Sequence, residues 1–463
     1  MDVLSPVTGD VVGRVTDTPT AAIEDAYRRA AAAVPVLGAM TVWERADMLC
    51  DTASALEARR SEALRDHVLE HGKTASQAEA ELDTAIHGLR STAEHARRLD
   101  GRITAVADRA KKVLTQRRSL GVIGAITPWN VPFMVPVEYG APALAMGNSF
   151  LWKPAESVPA TSAHMLAAFR EAGWPEGAVE MVEGGPATGA AVARHHGLDA
   201  LCFTGSSEVG NEISGLGGRR KLILELGGNG PTVVFRDADL DAAADRIVAG
   251  SCFLSGQSCA ATERILVEQA VHDELLDALV SRTAQEQVGD PRLDSTTLGP
   301  IHLADTAIKI GRHVQQARDA GATVLTGGSP LCDAPTNRYW QPTVVAGVTP
   351  DMEIFREETF GPIMPVTGFA TATDAIDLAR VGGYGLSSSV FTKDIDRAFA
   401  VAEALPASFV VVNDTSNYWE MHLPWGGGPG TSSGTGRLGG EHALHELSTT
   451  STIVLNLSAA GLR

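Results

Sequence analysis

The stretch "ALCFTGSSEVGNEI", residues 200–213, decides the fold. Its apolar, β-prone side chains run to Phe203, and Gly205 then permits a sharp turn. Ser206 or Ser207 can cap the helix that follows, with a carboxylate in its first turn. The free N–H groups at such a helix start suit a pyrophosphate. On pattern alone, an ordinary capped helix is the simpler interpretation of the stretch.

Strand-like and helical segments alternate on both sides of this stretch. Before it come "SLGVIGAIT", "SFLWK" and "VEMVEG", and after it come "TVVFRD", "RILVEQ" and "SFVVVN". Such alternation predicts parallel sheets with helices on their faces. It indicates two α/β units joined near residues 226–231. Helical spacing of apolar residues predicts three amphipathic helices ahead of them, near 20–36, 43–70 and 75–98. The tail "TTSTIVLNLS" is expected to pair with a distant hairpin or another subunit.

Composition narrows the class of protein. A chain of 463 residues is too long to fold around a single hydrophobic core. Its content of 44% hydrophobic and 20% charged residues is typical of a globular protein. The net charge of −18 argues against nucleic acid and anionic membranes as partners. No apolar run is long enough to span a bilayer, and the N-terminus lacks signal-peptide features. Five scattered cysteines predict a reducing, cytoplasmic location, and metal-ligand spacings are missing, so we expect no metal.

Two further stretches suggest ligand contacts. In "WKPAE", Lys153 and Glu156 follow a short strand, where α/β folds bind ligands, and such a pair can hold a ribose diol. A surface ion pair explains them equally simply. "GTGRLG" at 434–439 matches a dinucleotide motif, but no strand precedes it, so we interpret it as a flexible glycine-rich loop.

Several motifs occur together in a characteristic order. They are "ITPWNVPF" (126–133), "ALAMGNSFLWKPAE" (143–156), "FTGSSEVG" (203–210), "LELGGNGP" (224–231), "GQSCAATER" (256–264), "VGDP" (288–291), "EETFGPIMPV" (357–366), "GLSSSVFTKD" (385–394) and "PWGG" (424–427). In this order they resemble the aldehyde dehydrogenase superfamily, of the NAD(P)-dependent hydrolytic type. The resemblance covers nearly the whole chain.

The resemblance implies an α/β fold with three parts. These are a Rossmann-like NAD-binding domain (1–102 and 120–227), an α/β catalytic domain (228–440) and a small β-ribbon that pairs subunits (103–119 and 441–463). It implies a homodimer or homotetramer. A ribbon of this kind would give the tail strand its partner.

The resemblance also assigns the chemistry. Cys259 aligns with the nucleophile, Glu225 with the general base and Asn130 with the side-chain donor of the oxyanion hole. Hydride transfer from an aldehyde requires a tetrahedral carbon, which a thiolate makes by adding to the carbonyl. The thioester that remains needs an activated water, and a carboxylate can take the proton. Cys50, Cys202 and Cys252 are interpreted as inert core residues.

The predicted cofactor is NAD, with NADP possible. The carboxylate of Glu156 accepts hydrogen bonds from a ribose 2′-OH and repels a 2′-phosphate, although Lys153 can meet a phosphate. The positions that the resemblance assigns to the cofactor are Thr127, Trp129, Lys153, Glu156, Gly205, Ser206, Val209, Glu358 and Phe360.

The substrate side departs from the family pattern. Glu138, Tyr139 and Leu254 stand where many relatives carry Trp, Lys and Asn, and the glycine-rich loop is longer than usual. A carboxylate at Glu138 favours an amino-aldehyde, whereas Val131 and Val135 favour a bulky or aromatic one, and the sequence leaves both open. The expected pocket residues are Val131, Met134, Val135, Glu138, Phe253 and Ser258.

Two other functions compete with hydrolytic aldehyde oxidation. A CoA-acylating semialdehyde dehydrogenase passes the thioester to CoA and does not need a general base, so Glu225 disfavours it. A catalytically silent binding protein of the same fold would have lost the nucleophile or the base, and the sequence keeps both.

Overall fold

The computed structural model describes residues 1–457, and its architecture is α/β, built on two large sheets of mainly parallel strands. The strands are β1 (Asp2–Leu4), β2 (Val11–Arg14), β3 (Arg102–Thr104), β4 (Lys111–Ser119), β5 (Val122–Ile126), β6 (Ser149–Lys153), β7 (Val179–Met181), β8 (Ala200–Thr204), β9 (Lys221–Glu225), β10 (Pro231–Val234), β11 (Arg264–Glu268), β12 (Thr323–Thr326), β13 (Thr343–Ala346), β14 (Ile363–Phe369), β15 (Ser387–Phe391), β16 (Phe409–Val412), β17 (Gly434–Thr435) and β18 (Ser448–Asn456).

The helices connect these strands and cover the sheets. They are α1 (Thr20–Ala39), α2 (Val42–Ala58), α3 (Arg60–His71), α4 (Ala75–Arg98), α5 (Met134–Ala145), α6 (Pro159–Glu171), α7 (Pro186–Arg194), α8 (Ser207–Gly215), α9 (Leu240–Cys252), α10 (His272–Thr283), α11 (Ala304–Asp319), α12 (Glu353–Arg356), α13 (Ala372–Arg380), α14 (Ile395–Ala404) and α15 (Gly440–Glu446).

The first large sheet has the strand order β17-β9-β8-β5-β6-β7 and is parallel except for β17. Successive side chains of a strand point to opposite faces, and here both faces are apolar. In β6, Phe150 and Trp152 enter the core beneath α2, α4 and α5, whereas Leu151 enters the core on the other face. This burial on two sides explains why the strand reads as a continuous apolar run.

The second large sheet has the order β12-β13-β14-β11-β10-β15-β16 and is parallel except for β12. It shows the same alternation, because Leu266 of β11 lies in one core and its neighbours Ile265 and Val267 lie in the other. The fold class predicted from the sequence is therefore confirmed: an α/β protein with parallel sheets covered by helices on both faces.

The C-terminal strand pairs with another strand of the same chain. β18 pairs antiparallel with β4 along its whole length, from Ser448 opposite Ser119 to Asn456 opposite Lys111, and β3 pairs with the other edge of β4. This confirms the distant hairpin as the partner. The segment expected as ribbon after residue 440 begins with α15 rather than with a strand. Residues 458–463 of the predicted ribbon lie outside the described residues.

The helix predicted over 43–70 is wrong, because two helices occupy that range. α2 ends at Ala58 and α3 starts at Arg60, with Arg59 between them at φ −91° and ψ 0°. The Arg59 N–H donates to the carbonyl of Leu56, a tighter turn than an α-helix makes. Neither glycine nor proline marks the break, so the local pattern carries no signal for it.

The glycine-rich segment has a structural role beside β9. Gly434 and Thr435 form β17, which pairs with Glu225 and Leu224. A Cβ on Gly434 would stand 1.8 Å from the carbonyl oxygen of Leu224, and its φ of +113° excludes most other residues. This segment therefore packs against the strand that ends in Glu225.

Membrane-spanning helices and metal-binding clusters are both absent from residues 1–457. None of the helices there has the length and apolar character needed to cross a membrane. Within the same range, no group of three or more His, Cys, Asp and Glu side chains has an arrangement that could hold a metal ion.

Candidate active site

Cys259 follows a strained turn at the end of α9. Leu254 and Ser255 both adopt left-handed backbone conformations, with φ of 51° and 56°. Such conformations cost roughly 1–2 kcal/mol for an ordinary residue and suit asparagine better than leucine. The turn is held by Ser255, whose Oγ donates to the carbonyl of Gly299 at 2.8 Å. Gly256 is required next, since a Cβ there would lie 2.2 Å from the backbone of Gly361.

Asn130 is tied directly to this cysteine loop. It lies just ahead of α5, and its Nδ2 donates to the carbonyl oxygen of Gln257 at 3.1 Å. Gln257 is itself buried, and it donates through Nε2 to Leu254 and accepts from the N–H of His302. The amide of Asn130 therefore has one of its two hydrogens committed to the loop and one left for a ligand.

A buried charged network fixes the backbone on either side of Asn130. The Nζ of Lys73 donates to the carbonyl oxygen of Asn130 at 2.9 Å and forms an ion pair with Glu81. Glu81 in turn accepts from the N–H of Phe133 at 2.8 Å and contacts the Nε2 of His67 at 3.0 Å. Lys73 precedes α4, whereas Glu81 lies within it. The residues around α3 and α4 thus hold the segment that leads into α5.

Glu225 is the last residue of β9, and its side chain is only 4% exposed. Neither carboxylate oxygen has a hydrogen-bond partner among the residues that the structure describes. Burial raises the pKa of Glu225 well above its usual range, and the nearby Glu138 raises it further. A carboxylate in this state is a stronger base than one in water.

One cavity of about 190 Å³ brings the predicted catalytic residues together. Cys259, Asn130 and Glu225 all line it, and so does every predicted pocket residue: Val131, Met134, Val135, Glu138, Phe253 and Ser258. The sequence separation of these residues is large, so the fold alone accounts for their meeting. Burial, with smaller contributions from Glu358, Glu225 and Glu138, raises the pKa of the Cys259 thiol.

Tyr139 lies behind the cavity rather than in its lining. It is fully buried, and its hydroxyl is 2.6 Å from the Oγ1 of Thr204, which does line the cavity. Burial raises the pKa of Tyr139 well above its usual range, so this side chain stays neutral near pH 7. At position 139, where the family resemblance leads us to expect a lysine, this chain therefore has an uncharged hydroxyl.

Lys153 and Glu156 form the pair expected at the edge of the first sheet. The Nζ of Lys153, the last residue of β6, donates to Glu156 Oε2 at 2.9 Å. Lys153 is buried and Glu156 is partly exposed, so the carboxylate faces the solvent side of the pair. Thr127 follows the neighbouring strand β5, and its hydroxyl accepts from the indole N–H of Trp152 at 2.8 Å.

The turn after β8 is built as its sequence predicts. Ser206 caps α8 by accepting from the N–H of Val209 at 3.3 Å, and Val209 is exposed. The N–H groups of Ser207 and Glu208 have no acceptor within the described part of the chain. A Cβ on Gly205 would lie 2.5 Å from the ring of Phe203, which explains the glycine. This helix start is open to an anionic group.

Glu358 and Phe360 approach the catalytic segment from the second sheet. Glu358 accepts from the N–H of Gly228 at 2.8 Å, close in sequence to Glu225. Phe360 has a φ of 60°, and its N–H donates to the buried carboxylate of Glu263 at 2.7 Å. Its ring meets the edge of Trp129 at 5.6 Å between centroids. These residues and the sheet-edge pair lie outside the lining of the catalytic cavity.

A family model described as the aldehyde dehydrogenase family matches residues 1–453. The chain belongs to the aldehyde dehydrogenase family. It is accordingly an oxidoreductase of the NAD(P)-dependent class.

Relatives of the aldehyde dehydrogenase family match over almost the full length. The chain is 33% identical over 461 residues to 4-trimethylaminobutyraldehyde dehydrogenase B of Danio rerio, covering 98% of this chain and 88% of that protein. It is 35% identical to vanillin dehydrogenase of Corynebacterium glutamicum, covering 96% and 92%. Betaine aldehyde dehydrogenase of Staphylococcus aureus, solved with NAD+, superposes with a TM-score of 0.94 at 30% identity, covering 98% and 94%.

Sequence reasoning missed several residues around the aldehyde dehydrogenase cavity. Further lining residues come from α4 and from the segment after β16: Gln77, Ala80, Glu81, Thr84, Asn417, Trp419 and Trp425. Asn417 accepts from the Oγ of Ser258 at 3.0 Å, next to the cysteine. In the sequence, the only hint of this part of the cavity wall was the pair of tryptophans, Trp419 and Trp425, in one short loop. The pattern of α4 is that of an ordinary amphipathic helix and gave no hint.

Proposed function

We propose that this chain oxidises an aldehyde to the carboxylic acid with NAD, through a thioester on Cys259 that water hydrolyses. The observation that carries the proposal is the meeting of Cys259, Asn130 and Glu225 in one cavity. A nucleophile, a hydrogen-bond donor and a base are the three groups that this chemistry requires.

The first step is addition of the Cys259 thiolate to the carbonyl carbon. A sulfur–carbon bond forms, and the carbonyl π electrons move to oxygen, giving a tetrahedral thiohemiacetal anion. The free hydrogen of the Asn130 amide and the backbone N–H of Cys259 are the donors we assign to that oxygen. Losing one such donor raises the barrier by roughly 3–4 kcal/mol. When bound, NAD supplies the acceptor for the hydride that leaves this carbon.

Glu225 then activates water against the thioester. Glu225 lines the cavity and its two oxygens are unpaired, so one of them can take a proton from a water as the water oxygen attacks the carbonyl carbon. The tetrahedral intermediate then collapses and the carbon–sulfur bond breaks with its electron pair on sulfur, so Cys259 is regenerated as thiolate and the carboxylic acid is released. Because burial raises the pKa of Glu225, the carboxylate accepts this proton more readily than an exposed one.

The cofactor residues fit the group that the family implies. The open N-terminus of α8 suits the pyrophosphate, with Gly205 and Ser206 in contact and Val209 against the adenine. Lys153 and Glu156 suit the adenosine ribose, and the exposed carboxylate of Glu156 favours NAD over NADP. The remaining assigned contacts are Thr127, Trp129, Glu358 and Phe360.

Three organisational predictions belong to the same proposal. They are the division into an NAD-binding domain (1–102 and 120–227), a catalytic domain (228–440) and a ribbon, the assembly into a homodimer or homotetramer, and the cytoplasmic location.

The test is an NADH assay on the full-length protein with a panel of aliphatic, aromatic and amino-aldehydes. We expect NADH formation with the free acid as product, a higher kcat/KM with NAD than with NADP, and none above background for Cys259→Ala. Cys50→Ala, a cysteine outside the cavity, is the matched control. Wild-type turnover in Cys259→Ala would overturn the mechanism, and acyl-CoA formed in place of acid would favour the CoA-acylating alternative.

A further inference from the structure

The catalytic cavity is lined by acidic side chains and by none that is basic. Glu81, Glu138 and Glu225 contribute to its wall, and no lysine, arginine or histidine does so among the described residues. Glu81 is neutralised by its ion pair with Lys73. Glu138 and Glu225 are therefore the acidic side chains of the wall that no basic side chain pairs with.

Glu138 and Glu225 lack partners within residues 1–457. The side chain of Glu138 has no hydrogen bond or ion pair there, and both oxygens of Glu225 are buried and unpaired. The guanidinium of Arg437 is near Glu225, but its Nη1 donates to the carbonyls of Gly427 and Gly436. Keeping an ionised carboxylate buried without a partner costs free energy of desolvation. A cation that binds beside it offsets this cost, so the cavity favours cationic ligands.

Aromatic rings complete the wall. Trp419 and Trp425 meet edge to face with centroids 6.1 Å apart, and Phe253 lines the same cavity beside them. The face of an indole ring attracts a cation such as an alkylated ammonium, most strongly where water is excluded. Carboxylate and indole together form a receptor for a positive charge rather than for a neutral alkyl chain.

We propose that the aldehyde substrate carries a positively charged nitrogen, held by Glu138 and the Trp419 and Trp425 rings while Cys259 attacks the carbonyl. This inference rests on the proposed function, whose site it shares. It excludes aldehydes with a carboxylate tail as preferred substrates, because the described lining offers no basic side chain to meet one.

The pKa values of Glu138 and Cys259 agree with a cationic substrate. Burial raises the pKa of Glu138 to about 8, so its carboxyl is largely protonated in the free cavity near pH 7. An ammonium group alongside it favours the ionised form. The same positive charge opposes the effect by which Glu225 and Glu138 raise the pKa of the Cys259 thiol.

The experiment compares three aldehydes on the full-length protein with NAD. Trimethylammonioacetaldehyde is cationic, tert-butylacetaldehyde is its neutral isostere, and succinic semialdehyde is anionic. We expect kcat/KM for the cation to exceed that for the isostere at least tenfold, with the anion lowest. In Glu138→Gln the cation-to-isostere ratio falls at least tenfold. Glu274→Gln, the same change on an exposed residue of α10, keeps the wild-type ratio.

The wild-type comparison stands even if Glu138→Gln does not fold. A neutral isostere turned over as well as the cation, or an unchanged ratio in a folded Glu138→Gln, would overturn the cation assignment while leaving the proposed oxidation intact. If neither the three aldehydes nor any member of the wider panel gave NADH, both proposals would be overturned.

Discussion

At the scale of single residues, the site depends on environment more than on residue type. Glu81, Glu138 and Glu225 all line one cavity, yet each is in a different state. An ion pair lowers the pKa of Glu81 to about 2, whereas burial raises those of the other two. One carboxylate therefore serves as a structural anion, and the others are available to substrate and water.

Removing the base separates the two halves of the reaction. In Glu225→Gln we expect a burst of NADH equal to the enzyme concentration, followed by a steady state slower by roughly 10²–10⁴-fold. Because burial raises the pKa of Glu225, wild-type thioester hydrolysis rises with pH over a range above that of an ordinary carboxylate, and the variant loses that rise. Stopped-flow NADH traces across pH measure both effects. A variant that lacks the burst but keeps the slow rate would move the role of Glu225 to acylation.

At the scale of elements, the position of Asn130 depends on α3 and α4. Lys73 bonds to its carbonyl oxygen, and Glu81 bonds to the N–H of Phe133 three residues later. The segment around α3 and α4, which lies outside both large sheets, therefore fixes the backbone of the residue that we propose as oxyanion donor. The buried ion pair of Lys73 and Glu81 holds the segment from Asn130 to Phe133 in place, and its net contribution to stability is small.

Replacing Lys73 tests this positioning role. Lys73→Met leaves Glu81 buried and charged, so we expect about 3–5 kcal/mol of lost stability and a kcat that falls more than KM rises. Adding Glu81→Gln removes the unpaired charge and restores most of the Tm. If the network positions Asn130, kcat stays low in the double variant, because the bond from Lys73 to the Asn130 carbonyl is still missing. Recovery of kcat together with Tm would indicate a purely structural pair.

The sequence predicted those elements whose signal is local. β6 and β8 are apolar on both faces and end at a turn, so their pattern identified them. The order of the motifs singled out Cys259 and Glu225, and the structure places both in one cavity. The break at Arg59 and the pairing of Lys73 with Glu81 depend on contacts between elements, which no local pattern encodes. The left-handed Leu254 runs against the preference of its own residue type, so only the surrounding structure reveals it.

At the scale of the whole molecule, the three-stranded sheet of β3, β4 and β18 leaves apolar side chains uncovered. Ile103 of β3 lies on the same face of this sheet as Ile453 and Leu455 of β18, because Ile103 and Ile453 both pair with Leu114. Ile103 is 76% exposed and Leu455 is 44% exposed. Both β3 and β18 are edge strands with open backbone groups. An apolar surface at an open sheet edge is typical of a surface that binds a second subunit.

This surface predicts that the chain assembles through its ribbon. We expect wild type to elute as a dimer or tetramer in size-exclusion chromatography with light scattering. Ile103→Asp combined with Leu455→Asp places two charges on this face of the sheet and should yield monomer at the same concentration. The matched control is Ile308→Asp with Ile395→Asp, since these isoleucines are 66% and 65% exposed on α11 and α14. Dissociation by the control pair, with the ribbon variant still assembled, would place the interface on the helices of the second sheet.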